Sequence, residues 1–255
     1  MALRFEVLGA AGAAPLSGAC PAYVVGGGGV TVLLDCGPGA LERLWRRGLL
    51  GGLDAVVISH MHADHVLDLV PLSGELVRSL LGRRIALHVP AGDGPAVLGR
   101  LDAAFARVPG APTRFDKSFD VRPYGAEETL TIGQLSFSFA PTAHAQPCFA
   151  MRISDGRRVI VYGADGAPSD AVARLARGAD LLVLEATFAQ DAAAAQASGH
   201  MTAAQAGELA ARAGARRLLL THLLPSESLH EIRGRAEAAF GDRVELAAEG
   251  YAFEG

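Results

Sequence analysis

Residues 56–65 read VVISHMHADH, an apolar run rich in β-branched residues that is followed at once by three histidines and an aspartate. The run predicts a buried strand, and a helical pattern resumes at about residue 65, so the polar residues fall on a strand-to-helix loop. They are His60, His62, Asp64 and His65. Such strand ends carry the ligand sites of open α/β folds, and a divalent cation satisfies imidazoles and carboxylates that would otherwise be costly to bury. The stretch therefore predicts a metal site.

Apolar runs and helical patterns alternate on both sides of this motif. The predicted strands are residues 1–8, 30–34, 55–58, 85–89, 159–162, 181–184 and 218–220. The predicted helices are residues 39–47, 66–81, 95–107, 169–177, 202–213 and 228–240. The helix at 202 has the spacing of a capping box, with Gly214 as its stop.

A β-meander interrupts this alternation between residues 121 and 153, where short alternating segments at 129–132 and 135–140 flank a tight turn at Gly133 and Gln134. Strand-helix alternation combined with a meander predicts an α/β protein with two mixed β-sheets flanked by helices. Glycines 26–29 lie between two strand candidates and predict a hairpin loop rather than a linker. Residues 1–255 are therefore predicted to form a single domain.

Composition restricts the partners and the compartment. Half of the residues are apolar, and the net charge of -4 comes without basic blocks, so no long nucleic acid is expected as a partner. The three cysteines are odd in number and widely spaced, which predicts neither disulfides nor a thiolate site. No apolar stretch has the length of a signal peptide core or a membrane span. A cytoplasmic protein with no membrane association is predicted.

Three more candidate ligands follow predicted strands. His144 comes after the strand at 135–140, Asp165 after the strand at 159–162, and His222 after the strand at 218–220. Any one of them alone would more often cap or hydrogen-bond than bind a metal. Together with the motif at 60–65, they predict one shared site built from strand-end loops.

These features resemble the metallo-β-lactamase superfamily, specifically its ribonuclease Z-like branch. The resemblance runs from about Leu8 to Gly250 and includes the turn LDCGPG at residues 34–39. It implies the αββα sandwich, the fold of that superfamily, which agrees with the two-sheet pattern. It assigns one zinc to His60, His62 and His144, a second zinc to Asp64, His65 and His222, and a bridging role to Asp165. Asp35 is implied to support the ligands rather than bind metal.

Two further matches narrow the branch. Residues 185–187 look like its Glu-Ala-Thr box, and residues 199–202 look like the segment whose histidine assists the leaving group. A glutamate can orient and charge-stabilise an imidazole, and an imidazolium can protonate a departing alkoxide. The catalytic residues predicted in this way are His200 and Glu185, together with Asp64.

The implied activity is that of a two-zinc hydrolase in which a metal-bound hydroxide attacks phosphorus, with manganese or iron as alternative metals. Only 20 residues separate His144 from Asp165, and strand-like segments fill them, whereas ribonuclease Z enzymes often insert a tRNA-gripping arm there. The prediction is therefore a phosphodiesterase for a small or short substrate. The resemblance also implies a homodimer.

Other functions stay open on the sequence. The same metal hydroxide can attack a lactone, ester, thioester or sulfate ester, and tRNA 3′ processing is a further, less favoured activity. A non-hydrolytic metal protein is the alternative outside hydrolysis. Ala63 stands where the di-iron redox members of the superfamily have a carboxylate ligand, which argues against that last alternative.

Overall fold

In the computed structural model, which describes residues 2–78, 84–105 and 114–255, two mixed seven-stranded sheets lie face to face. The strands of the first sheet are β1 (Arg4–Gly9), β2 (Ala22–Gly27), β3 (Val30–Leu34), β4 (Ala55–Val57), β5 (Ile85–Pro90), β6 (Phe119–Tyr124) and β14 (Ala252–Glu254). Their order is β14-β1-β2-β3-β4-β5-β6. The strands from β3 to β6 run parallel, and the others pair antiparallel.

The second sheet repeats this arrangement. Its strands are β7 (Thr129–Ile132), β8 (Leu135–Pro141), β9 (Phe149–Ser154), β10 (Val159–Tyr162), β11 (Leu181–Glu185), β12 (Leu218–Thr221) and β13 (Val244–Leu246). Their order is β13-β12-β11-β10-β9-β8-β7, with β10 to β13 parallel and β7 to β10 antiparallel. Two mixed sheets flanked by helices were predicted from the sequence, and this architecture is confirmed.

Helices cover the outer face of each sheet. They are α1 (Ala40–Arg46), α2 (Ala63–Val66), α3 (Leu69–Arg78), α4 (Gly94–Ala104), α5 (Arg114–Ser118), α6 (Asp170–Leu175), α7 (Ala192–Ser198), α8 (Ala203–Ala213) and α9 (Leu229–Phe240). A 3₁₀ turn spans Leu50–Gly52. Within the described ranges, none of these helices has the length and hydropathy to cross a lipid bilayer.

Three buried layers hold the sandwich together. The central layer lies between the sheets and contains the aromatic side chains of Phe5, Tyr23 and Phe137. A second layer packs the first sheet against α1, α3 and α4, and a third packs the second sheet against α6, α8 and α9. Because both sheets are covered on both faces, their strand-end loops are the parts of the chain that are free to build a site.

The sequence predicts one helix over residues 66–81, and this is wrong in one respect: within the described residues, the segment belongs to two separate helices. α2 ends at Val66, and α3 begins at Leu69. Two hydrogen bonds that would continue the first helix are missing. The N–H of Asp68 donates to the carbonyl of Cys36 rather than to the preceding turn, and Pro71 has no N–H to donate to the carbonyl of Leu67. The ends of this prediction and of the one at 95–107 lie outside the described residues.

The remaining differences concern short elements. Gly26 and Gly27 belong to β2, and the hairpin turn itself is Gly28 and Gly29, both with positive φ. Strands β6, β13 and β14 and helices α5 and α7 were not predicted. α7 is nearly all alanine and so carries no apolar periodicity. The capping box at Thr202 and Gln205, with Gly214 in the left-handed region, is confirmed.

Candidate metal centre

The predicted ligands converge at the strand ends between the two sheets. His60 and His62 follow β4, and Asp64 and His65 lie on α2; His144 follows β8, Asp165 follows β10, and His222 follows β12. They form two groups in which the ligand atoms lie within 4.8 Å of one another, the first of His60, His62, His144 and Asp165 and the second of Asp64, His65 and His222. A third, overlapping group combines Asp165 and His222 with His200. The cluster can therefore bind metal ions.

Three imidazole nitrogens meet in the first group. The Nδ1 atom of His62 lies 3.0 Å from Nε2 of His60 and 3.1 Å from Nε2 of His144. The other nitrogens of His60 and His144 are engaged outside the cluster, by the Ser59 hydroxyl at 3.0 Å and the Gly199 carbonyl at 2.8 Å. Each Nε2 therefore presents a lone pair, and a cation among the three nitrogens relieves their repulsion.

The second group is linked to the first through Asp165. The Oδ2 atom of Asp165 lies 3.4 Å from Nε2 of His65, 3.2 Å from Nε2 of His222 and 3.7 Å from Nε2 of His60. Asp64 completes the group, with Oδ2 at 3.3 Å from Nε2 of His222 and 3.6 Å from Nε2 of His65. One carboxylate oxygen thus faces both groups, as a bridging ligand would.

The Nε2 atom of His65 tests whether these residues fit a metal. It is fully buried and has no hydrogen-bond partner, although a buried polar nitrogen is costly to leave unsatisfied. Its Nδ1 atom donates to Asp35 Oδ2 at 2.8 Å, so Nε2 is the nitrogen aimed into the cluster. A divalent cation would take the place of a proton on Nε2, and a set of imidazoles and carboxylates suits zinc, manganese or iron.

Asp35 holds His65 in place through a network of buried hydrogen bonds. Its carboxylate accepts hydrogen bonds from the backbone N–H and the hydroxyl of Ser59, at 2.6 and 2.8 Å, and from the Tyr162 hydroxyl at 2.7 Å. With the His65 contact, both oxygens are hydrogen-bonded, Oδ1 once and Oδ2 three times, so the ring of His65 is fixed in place. Asp35 itself has φ of 55°, a strained conformation that only firm surroundings maintain.

Charge inside the cluster keeps the carboxylates ionised. Burial alone would raise the pKa of Asp165, but His222 and His65 outweigh it and hold that pKa well below its ordinary value. The pKa of Asp64 is likewise lowered against burial, chiefly by its hydrogen bond to His222. Burial lowers the pKa of His60 and His62, which favours their neutral, metal-binding form, whereas Asp165 raises the pKa of His65 and His222 against burial, so that a bound cation would displace a proton from each.

Glu185 and His200 form a pair beside the cluster. The Nδ1 atom of His200 donates to Oε1 of Glu185 at 2.9 Å, and its ring centroid lies 5.1 Å from that of His144 and 5.2 Å from that of His222. Glu185 also accepts from the N–H of Gly166 at 2.7 Å. The pair is therefore built into the wall of the metal centre.

Several residues that support the ligands had no role assigned from the sequence. They are Ser59, Tyr162, Thr187 and Gly199, and each touches a predicted site residue. Thr187 lies in the Glu-Ala-Thr box, which was the available signal. The others act through ordinary hydroxyl or carbonyl groups, which no sequence spacing distinguishes.

Comparison with known proteins assigns the family. The model described as "Beta-lactamase superfamily domain" matches residues 30–223. The probable metallo-hydrolase YhfI of Bacillus subtilis is 34% identical over 99% of this chain and 100% of its own length. A ribonuclease Z of Haloarcula marismortui is 28% identical over 98% of this chain and 96% of its own length.

Solved structures agree with this assignment. The crystal structure of YhfI covers 99% of both chains with a TM-score of 0.86 and 30% identity. A diphosphatase of the PhnP family, at 23% identity, covers 100% of this chain and 98% of its own with a TM-score of 0.78, which shows a shared fold. On the family model, the full-length relative and the fold together, the chain belongs to the beta-lactamase superfamily, as a metal-dependent hydrolase with the metallo-β-lactamase fold.

Proposed function

We propose that this protein is a two-metal phosphodiesterase that acts on a small or short substrate. The observation that carries the proposal is the Glu185–His200 pair, which lies beside two adjoining groups of ligands. Hydrolysis of a phosphodiester needs a proton for the departing alkoxide, whereas an activated ester or thioester releases a better leaving group without one. A proton donor beside the cluster therefore favours a phosphodiester over an activated ester or a thioester.

The two groups of ligands would each hold one zinc ion, and Asp165 would face both. Bound zinc supplies Lewis acidity to a phosphoryl oxygen and lowers the pKa of a coordinated water. Contacts outside the cluster orient the ligands, because His65 is held by Asp35, His144 by Gly199 and His222 by Thr187. Preformed ligands keep their geometry without reorganisation when a substrate binds.

Glu185 prepares His200 for proton transfer. Its Oε2 accepts from the Thr187 hydroxyl at 2.6 Å and from the Met201 N–H at 3.2 Å, so both oxygens are hydrogen-bonded and the carboxylate cannot turn away. A fixed carboxylate on Nδ1 orients the ring of His200 and leaves Nε2, on the far side of the ring, as the atom that would donate a proton. His200 is 15% exposed at its side chain, so a substrate can reach it.

The names of similar proteins support phosphorus chemistry. One relative is named a ribonuclease Z, and one structural neighbour is titled a diphosphatase. The space between His144 and Asp165 is filled by the β9–β10 hairpin, which favours a small substrate over folded tRNA. We further propose a single domain, a cytoplasmic location, a homodimer, and no long nucleic acid or membrane partner.

A panel of substrates on purified, zinc-loaded protein tests the proposal. It contains bis(4-nitrophenyl) phosphate, a homoserine lactone, a thioester and an aryl sulfate. We expect the diester to have the highest kcat/KM of the four. Turnover of the lactone or thioester without turnover of the diester would reject phosphodiester hydrolysis in favour of carbonyl chemistry.

A further inference from the structure

Two buried tyrosines meet in the central layer between the sheets. Tyr23 lies on β2 of the first sheet, and Tyr162 is the last residue of β10 in the second sheet. Both side chains are buried, and their ring centroids lie 4.9 Å apart. Tyr162 is three residues before the candidate ligand Asp165. The two tyrosines therefore form a contact between the sheets close to the metal centre.

Each tyrosine hydroxyl makes a hydrogen bond to the opposite sheet. The Tyr23 hydroxyl lies 2.6 Å from Oγ1 of Thr221, the last residue of β12. The Tyr162 hydroxyl donates to Oδ2 of Asp35, the residue after β3, at 2.7 Å. Tyr23 is also paired in register with Leu34, the residue before Asp35, so the two bonds lie side by side. The sheets are thus joined twice, once from each side.

Both bonds end beside a candidate metal ligand. Thr221 directly precedes His222 in the chain, and Asp35 accepts from Nδ1 of His65 at 2.8 Å. His65 and His222 belong to the same group of ligands, although one comes from each sheet. Each bond therefore ties the support of one of these histidines to the opposite sheet.

Packing alone does not require these hydroxyls. The central layer consists mainly of apolar side chains, such as that of Phe5, whose ring stacks on Tyr23 with centroids 5.4 Å apart. Phenylalanine would fill the same space, and apolar groups of the same shape can replace a hydrogen-bonded pair with little change in the free energy of unfolding. A hydrogen bond, unlike an apolar contact, fixes a distance and a direction. The two bonds therefore define how far apart the sheets stand at this end.

That spacing matters because each group of ligands needs both sheets. The first sheet supplies His60 and His62 to one group and Asp64 and His65 to the other, and the second sheet supplies the remaining ligands. A cation can bind either group only when the sheets stand at the distance that brings both sets together. Sheets that already have this spacing need not be ordered by the metal, which raises the affinity for it.

We infer that Tyr23 and Tyr162 are positioning residues of the metal centre, which hold the ligands of the two sheets at binding distance before a metal arrives. They act through Thr221 and Asp35 rather than by contact with the metal. The inference concerns metal binding, so it goes beyond the proposed phosphodiesterase activity and does not depend on the substrate.

Tyr23→Phe and Tyr162→Phe test the inference, because each removes one hydroxyl and keeps the ring. Zinc affinity is measured on metal-stripped protein by competition with a colorimetric zinc chelator, without any substrate. We expect each variant to bind zinc about tenfold more weakly than the wild type, at the lower end of the effects of residues that orient metal ligands. Urea unfolding of the metal-free proteins shows that both variants are folded.

Tyr124→Phe is the matched control for loss of a buried hydroxyl. Tyr124 lies on β6, is buried in the same central layer, and donates to the carbonyl of Ile58 at 2.7 Å. Ile58 follows β4, so this bond stays within the first sheet. We expect the control to lose stability to urea much as the other two variants do, but to keep its zinc affinity within about twofold of the wild type.

Variants of Thr221 test the same bond from its other end. Thr221→Val removes the hydroxyl that Tyr23 contacts, and Thr221→Ser keeps it. We expect the valine variant to bind zinc about tenfold more weakly and the serine variant to bind it nearly as well as the wild type. Tyr23→Phe added to Thr221→Val should cost little more, because the bond is already lost.

Each result supports or overturns the positioning role. Unchanged zinc affinity in both tyrosine variants overturns it, and so does an equal loss in Tyr124→Phe, which would make the loss a general effect of a weakened core. Additive losses from Tyr23→Phe and Thr221→Val would show that their hydrogen bond is not the cause. Absence of diester hydrolysis would reject the proposed function but not this inference, since zinc binding is measured without a substrate.

Discussion

At the scale of single residues, the Thr187 hydroxyl connects the candidate metal centre to the Glu185–His200 pair. It donates its one proton to Oε2 of Glu185 at 2.6 Å, so it must accept from Nδ1–H of His222 at 2.8 Å. This contact orients the ring of His222 so that Nε2, the nitrogen that would bind a metal, points toward Asp64 and Asp165. A single buried hydroxyl therefore orients His222, a candidate ligand, and holds Glu185, the partner of the proposed general acid His200.

Thr187→Val tests this role, because valine keeps the shape and removes the hydroxyl. We expect a loss of about 10- to 100-fold in metal affinity or kcat, since the Nδ1–H of His222 loses its acceptor. Thr187→Ser is the matched control and should restore most of the loss. Metal content after dialysis, by elemental emission, and kcat/KM on the same samples are the measurements; a valine variant with full metal and unchanged kcat would refute the role.

His200→Ala tests proton donation to the leaving group. We expect kcat to fall about 100- to 10,000-fold for a diester with a poor alkoxide leaving group, and much less for a nitrophenyl diester, whose leaving group needs no proton. Glu185→Gln should show the same trend more weakly, because the amide still accepts a hydrogen bond from His200. Equal losses on both substrates would remove His200 from this role and leave it a structural contact.

At the scale of secondary-structure elements, the candidate ligands lie where strands β4, β8, β10 and β12 end. The run at 56–65 and the residues His144, Asp165 and His222 were open to sequence reasoning because each follows a clear apolar strand. The supporting hydroxyls of Ser59, Thr187 and Tyr162 were not, since their partners lie far away in the chain. The break between α2 and α3 was missed because periodicity continues across it, and the short edge strands β6 and β14 carry little pattern of their own.

Helix α8 begins at Ala203, just after His200, so the start of this helix affects the position of the proposed proton donor. The Thr202 side chain accepts from the N–H of Gln205, and the Gln205 side chain accepts from the N–H of Thr202. Thr202→Ala should lower the free energy of unfolding by about 1 kcal/mol, and Thr202→Ser should restore it. Urea unfolding followed by circular dichroism measures both; an alanine variant as stable as the wild type would show that the capping box contributes nothing.

At the scale of the whole molecule, the metal centre joins the two sheets. Its ligands come from loops of both sheets, so a bound cation would hold the sandwich closed at this end. Low pH should also lower the free energy of unfolding through a buried histidine outside the metal centre. His88 on β5 is 4% exposed and its Nδ1 has no partner, and burial, with Arg122, lowers its pKa to about 4.

This histidine predicts a specific pH dependence of stability. In the unfolded chain the pKa of His88 returns to about 6.5, so below that pH the unfolded state binds a proton that the folded state does not. The free energy of unfolding should therefore fall as pH drops from about 6.5 to about 4. His88→Gln should remove on the order of 1 to 2 kcal/mol of that fall, as measured by urea unfolding at several pH values. Parallel curves for variant and wild type would contradict the prediction.

The most direct test of a two-metal phosphodiesterase is a titration of activity with metal. Protein stripped by a chelator is given zinc in measured equivalents, and hydrolysis of bis(4-nitrophenyl) phosphate is followed at each point. We expect no activity without metal and a rise that levels off at about two equivalents per chain, because both groups of ligands are needed. Full activity at one equivalent, or no diester hydrolysis at any zinc level, would contradict the account.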